Sequence, residues 1–87
     1  MRVSESEDLD RVFAAINRVG EELANDPSWS NAIIAAPKVL GVEGFIDTGV
    51  EIRIVGDTQP NRQWDVTREL RLRLKKAFDA EGIRRGP

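Results

Sequence analysis

Apolar residues recur at steps of three and four along the first quarter of the chain, which is the spacing of one face of an α-helix. This stripe consists of Leu9, Val12, Phe13, Ile16, Val19 and Leu23. Ser4 to Glu7 offers a capping box at the start of the helix, and Asn25-Asp26-Pro27 ends it. The pattern therefore predicts a long first helix that buries a single face.

A short second helix is predicted immediately afterwards. Asp26 can cap it, Pro27 suits its first position, and Pro37 closes it because a proline disfavours helical conformation in the preceding residue. This helix would carry Trp29, Ile33 and Ile34.

The middle of the chain predicts a β-hairpin. Val39 to Ile46 is typical of a strand, and Asp47-Thr48-Gly49 is typical of a turn. Val50, Ile52 and Ile54 then alternate with Glu51 and Arg53, as in an antiparallel strand with one buried face. We expect the three β-branched residues to face the core and the charged residues to face away from it.

The last third predicts an amphipathic helix from about Arg62 to about Glu81, with Asn61 as its N-cap. Its apolar stripe consists of Val66, Leu70, Leu74, Ala77 and Phe78. Gly82 suits the left-handed position after the helix, and Ile83 can fold back as its hydrophobic contact.

Two strands alone make a marginal sheet in water, so further strands are expected at Arg2-Val3 and Ile83-Arg84. The order then becomes βαββαβ, an α+β fold with two helices on one face of a small antiparallel sheet. The first and last strands are short, as if truncated. A chain of 87 residues is expected to form a single domain, residues 1–87.

The composition fits a folded domain, with 40% hydrophobic and 32% charged residues. The chain has no cysteine and no histidine, which excludes disulfides, thiolate metal sites and the commonest general base. No apolar run approaches the roughly 18 residues of a membrane span, and no signal-peptide pattern opens the chain. We therefore expect no enzyme activity, no cofactor and no metal site.

Charge is distributed unevenly along the chain, whose net charge is −2. Residues 1–58 carry five Lys and Arg against eleven Asp and Glu, whereas residues 59–87 carry eight against four. The overall acidity argues against nucleic-acid binding, and the predicted outward sheet positions Glu51, Arg53 and Val55 lack the aromatics that stack on RNA bases. The two halves could instead contact one another, or contact copies of the same chain.

The candidate subunit-interface residues are Arg53, Arg68, Leu72 and Lys75. Leu72 points away from the apolar stripe and lies among charges. It is either an ordinary exposed leucine or an anchor for a neighbouring subunit, and the sequence leaves both open. Trp29 and Trp64 are expected to be half-buried packing residues.

Several short motifs follow one another over about residues 8–83. They are Asp8-Leu9-Asp10-Arg11-Val12, Asp26-Pro27, Pro37-Lys38-Val39-Leu40-Gly41-Val42, Asp47-Thr48-Gly49-Val50, Thr58-Gln59-Pro60, Gln63-Trp64-Asp65-Val66, Arg68-Glu69-Leu70, Ala77-Phe78-Asp79 and Gly82-Ile83. In their order and spacing these motifs resemble the C-terminal cytoplasmic domain of small-conductance mechanosensitive (MscS) channels.

The resemblance implies a ferredoxin-like fold and a non-catalytic role. In that family such domains pack side by side in a homo-heptamer and form part of a cytoplasmic cage below the pore. Ions and osmolytes leave through this cage when membrane tension opens the channel. The pore helices and β domain of the family lie outside these residues, so we expect this fragment to be soluble. It would meet the membrane only through upstream segments, on the cytoplasmic face of the inner membrane.

Two alternatives remain open. The fold is shared by ACT-like regulatory domains, which would hold a metabolite between paired domains near the turn from Asp47 to Val50. The other alternative is a nucleic-acid adaptor, which would bind oligonucleotides with steep salt dependence.

Overall fold

The computed structural model describes residues 1–46 and 49–84. It has three strands, β1 (Arg2–Ser4), β2 (Ile33–Ile46) and β3 (Gly49–Thr58), and two helices, α1 (Leu9–Asn25) and α2 (Gln63–Glu81). The predicted turn residues Asp47 and Thr48, and the tail from Arg85, lie outside the described residues.

The three strands form one antiparallel sheet in the order β1-β3-β2. Val3 lies opposite Val50, and Val39 lies opposite Ile54. Both helices pack against the face that carries Val50 and Ile52, as the alternation predicted. The α+β class and the truncated ferredoxin-like layout are confirmed.

The predicted short second helix is wrong. Only Ser30–Ala32 forms a 3₁₀ turn, and Ile33 already belongs to β2, which runs through Pro37. Proline lacks an N–H but is tolerated in β2, because β2 is an edge strand and one of its sides needs no ladder hydrogen bonds. Pro37 therefore lies within a strand of 14 residues and ends nothing.

Helix α1 does not begin with the predicted capping box at Ser4 to Glu7. Asp8 is its N-cap, and its carboxylate accepts a hydrogen bond of 3.0 Å from the Asp10 amide. Its end at Asn25 is as predicted. Two residues of α1 contact β2. Gly20 lies against the backbone of Pro37, and the Asn17 side chain accepts a hydrogen bond of 2.8 Å from the Val39 amide.

Helix α2 has the predicted end but not the predicted cap. Asn61 adopts a positive φ of 67° and Arg62 is the residue that precedes the helix, without a side-chain cap. Gly82 is left-handed with φ 69°, and the Ile83 amide donates to the Phe78 carbonyl at 2.9 Å. Ile83 is buried, so the predicted hydrophobic contact at the helix end is confirmed.

The core has two parts. The larger lies between the sheet and both helices, and its most buried side chains are Val3, Val12, Ile16, Ile52, Leu74 and Phe78. The smaller joins Leu23, Ala32 and Val66, with Trp29 packed against it.

Trp64 is 75% exposed, contrary to the prediction. It lies two residues before Val66, so it is rotated by about 200° from the first core residue of α2.

The two ends of the described chain meet beside β1. The Ser4 amide donates to the Arg84 carbonyl at 3.1 Å, and the Arg84 amide donates to the Glu7 carboxylate at 2.6 Å. Ile83 and Arg84 form no strand, contrary to the prediction, yet these bonds place them along the outer edge of β1.

Candidate subunit-contact surface

The outer face of α2 consists of Trp64, Arg68, Arg71, Leu72 and Lys75. These residues recur at helical spacing away from the apolar stripe, so they share one solvent-exposed face of α2. Leu72 is 47% exposed and Trp64 is 75% exposed. An exposed tryptophan and leucine among arginines resemble the composition of protein interfaces, where aromatic residues and Arg are enriched.

The cations of this face differ in their ionic contacts. Lys75 pairs with Asp79 at 2.8 Å, one helical turn away. Arg68 and Arg71 form no ion pair with any residue that the structure describes. Two guanidinium groups are thus available to a partner at the N-terminal half of α2.

Arg53 lies apart from this outer face. It alternates with the buried Ile52 on β3, so it projects from the sheet face that the helices leave uncovered. There it pairs with Glu43 of β2 at 3.5 Å. The structure therefore brings together Arg68, Leu72 and Lys75, and it separates Arg53 from them by the thickness of the domain.

Two ion pairs hold α1 against α2. Arg73 binds Asp26 at 2.6 Å and Glu69 at 2.8 Å, and the hydrogen bond from Arg73 lowers the pKa of the Asp26 carboxyl below its usual value. Arg18 binds Glu81 at 2.7 Å, and that hydrogen bond likewise lowers the pKa of Glu81. These two pairs connect α1 and its C-cap residue Asp26 to α2.

A groove of about 530 Å³ lies between the end of β3 and the first half of α2. Its walls are mainly apolar, and they include Ile33, Pro37, Ile54, Val66, Leu70 and Leu74. Thr67 and Arg71 line both this groove and the shallow hollow beside Trp64, so the groove borders the outer face of α2. Sequence reasoning missed it, because it depends on how α2 crosses the sheet.

The groove lies at the end of β3 that is remote from the turn where an ACT-like domain would hold its ligand. Asp47 and Thr48 of that turn are outside the described residues. Among the residues described, no group of three or more Asp and Glu could hold a metal ion, and no polar side chain is buried.

Exposed apolar side chains also lie along β2, and the sequence pattern did not predict them. Phe45 is 73% exposed, and Ile34 and Leu40 are exposed as well. The weak signal for this was the pair of glycines, Gly41 and Gly44, which leave the strand without continuous alternation. Within the part of the chain that is described, no helix is long and apolar enough to cross a membrane.

These features define a small α+β module with exposed apolar and cationic side chains on one helix. The family model described as mechanosensitive ion channel MscS, C-terminal, matches residues 2–84. The chain therefore belongs to the MscS family of mechanosensitive channels.

Two channels illustrate the relationship. The chain is 32% identical over 77 residues to a small-conductance mechanosensitive channel of Caldanaerobacter subterraneus subsp. tengcongensis, a match that covers 88% of this chain and 26% of that protein. It is also 32% identical over 82 residues to the moderate conductance mechanosensitive channel YbiO of Escherichia coli, covering 94% of this chain and 11% of that protein. The chain thus spans about a quarter or less of the length of these two channels.

Proposed function

We propose that this chain is a non-catalytic cytoplasmic domain of an MscS-like channel, where it packs beside its copies in a homo-oligomeric ring. In this role it forms part of the cage through which ions and osmolytes leave the cell under membrane tension. The ring is expected to be a heptamer on the cytoplasmic face of the inner membrane. The observation that carries the proposal is the family match over residues 2–84.

The surface chemistry supports a packing role. Arg68, Leu72 and Lys75 lie together on one exposed helix face, and Arg53 lies on the uncovered face of the sheet. A domain with exposed groups on two sides can contact a different neighbour with each side, as ring assembly requires. We propose these four residues as subunit contacts.

A chimeric channel tests this function. The corresponding C-terminal segment of the Escherichia coli relative is replaced by residues 1–87 and expressed in cells that lack their own mechanosensitive channels. Survival of a sudden fall in osmolarity is expected to match that given by the intact relative. A channel with the segment deleted is expected to assemble poorly, which blue-native electrophoresis measures.

Normal assembly and normal survival with the segment deleted would contradict the proposal, because the domain would then add nothing to the ring. A matched control carries Phe78→Ala in the inserted domain, which empties its core. That chimera is expected to behave like the deletion.

A further inference from the structure

Two surfaces of opposite charge lie at opposite ends of the helix layer. The acidic loop is the segment 5–10, which joins β1 to the first turn of α1. Its residues Glu5, Asp8 and Asp10 are exposed and form no ion pair with any described residue. The cationic face is the part of the outer face of α2 formed by Trp64, Arg68 and Arg71. Each surface holds charges that the described part of its own chain leaves unmatched.

The antiparallel packing of the helices keeps these surfaces apart. Asp26 at the end of α1 binds Arg73, and Leu23 packs with Val66, so the end of α1 lies beside the first half of α2. At the other end of the layer, Arg11 donates to the Glu81 carbonyl and Glu7 accepts from the Arg84 amide. At 1.5 Å per residue, Trp64 lies about 25 Å along α2 from Glu81. One chain cannot bring its own acidic loop onto its own cationic face.

We infer that the acidic loop of one copy docks on the cationic face of the next copy. This inference rests on the proposed function and names one contact between neighbouring domains, in addition to the proposed contact at Arg53. Because the two surfaces differ, the contact is heterologous, and its repetition generates a ring when the rotation closes. Trp64 supplies the large apolar contact of such a site, and the charges align the partners as they approach.

Charge reversal tests the contact in the 87-residue chain. Arg68→Glu/Arg71→Glu and, separately, Glu5→Lys/Asp10→Lys are each expected to weaken self-association about tenfold or more, measured by sedimentation equilibrium in low salt. An equimolar mixture of the two variants is expected to associate more tightly than either variant alone, since a contact between unlike variants restores opposite charges at the reversed positions. Lys38→Glu/Lys76→Glu is the matched control, because it changes the net charge equally at exposed sites outside the cationic face.

A disulfide trap gives a second readout that does not depend on charge. The chain has no cysteine, so Arg68→Cys combined with Asp10→Cys provides a unique pair. Mild oxidation at millimolar concentration is expected to give a ladder of covalent multimers, whereas Lys38→Cys with Asp10→Cys is expected to give far fewer. Circular dichroism of each variant checks that it is folded.

The inference would be overturned if the wild-type chain sediments as a monomer at millimolar concentration and the Arg68→Cys/Asp10→Cys variant forms no 68–10 crosslink. A single-stranded oligonucleotide that binds the cationic face without self-association would also overturn it. Survival of osmotic shock by the chimera, together with no crosslink, would overturn this contact while leaving the proposed function intact.

Discussion

Gly20 is the residue on which the packing of α1 against β2 depends most directly. A Cβ atom at this position would lie 1.9 Å from the Pro37 carbonyl oxygen. That oxygen belongs to the backbone of a strand and cannot rotate away. The helix therefore approaches the strand at a distance that only glycine permits.

Gly20→Ala is expected to destabilise the domain by about 2 kcal/mol or more, because an overpacked contact typically costs 1–3 kcal/mol. In an isolated helix the same change would stabilise by about 1 kcal/mol, so the sign of the effect is diagnostic. Urea denaturation followed by circular dichroism measures the difference.

The control for that experiment is Gly44→Ala, since a Cβ atom there would meet nothing within 4 Å. Its effect is expected to stay within about 1 kcal/mol. Equal effects of the two substitutions would show that the close approach to Pro37 does not limit packing.

The ion pairs of Asp26 and Glu81 predict a dependence of stability on pH. Hydrogen bonds from Arg73 and Arg18 lower the pKa of each carboxyl in the folded state, so each binds its proton more weakly than in the unfolded chain. Their contribution is fully present above the unfolded pKa of about 4, and it is lost as pH falls through the lower folded value.

The difference in urea midpoint between the wild type and Asp26→Asn/Glu81→Gln is therefore expected to be largest near pH 6 and to shrink toward pH 2. A difference that remains constant over this range would contradict the assigned pairs.

At the scale of the elements, the two faces of α2 differ in burial. Phe78 and Leu74 are fully buried, whereas Leu72 is exposed on the opposite side. Phe78→Ala is expected to cost about 3–5 kcal/mol, because it leaves a cavity in the larger core. Thermal and urea unfolding measure this loss.

Leu72→Ala serves as the matched comparison on the same helix. It is expected to change the free energy of unfolding by less than about 0.5 kcal/mol, as surface substitutions generally do. A loss of stability comparable to that of Phe78→Ala would show that Leu72 supports the fold and does not serve a neighbour.

The sequence predicted the elements whose periodicity was uninterrupted. α1, β3 and α2 follow from regular apolar steps, and the buried faces they predicted are those observed. The helix predicted between Pro27 and Pro37 is wrong, because a proline at the start or end of a helix and a proline within an edge strand look alike in the local sequence. Position in the sheet determined the outcome, since an edge strand accommodates Pro37 and the local pattern cannot reveal which strand is at the edge.

The candidate site was predictable only where it follows from one helix. The spacing of Arg68, Leu72 and Lys75 places them on one face of α2, and the structure agrees. The exposure of Trp64 depends on where α2 starts and on its rotation relative to the core. The alternation along β3 predicts the outward face of Arg53 correctly, whereas its separation from the outer face of α2 depends on both helices packing on the other face of the sheet.

At the scale of the whole molecule, the beginning and end of the described chain stabilise each other. Ile83 is buried, and Arg84 bonds both Ser4 and Glu7. A chain that ends after Gly82 is expected to lose about 1.5–3 kcal/mol, the value of burying an isoleucine. Amide exchange at Ser4 is expected to accelerate, because its hydrogen-bond acceptor is removed.

A chain that ends after Arg84 is the control for this truncation, since it keeps Ile83 and both hydrogen bonds. It is expected to retain the stability and exchange rate of the full chain. Slow exchange at Ser4 in both truncated chains would contradict the role of Arg84 beside β1.

The positions of the two tryptophans give the domain a pair of built-in optical probes. Trp29 packs against the smaller core, so its fluorescence reports whether the chain is folded. Trp64 is open to solvent, so its emission and its quenching by iodide report whether something covers the N-terminal half of α2. With Trp29→Phe or Trp64→Phe, folding and surface contact can be followed separately in the same molecule, without attaching a dye.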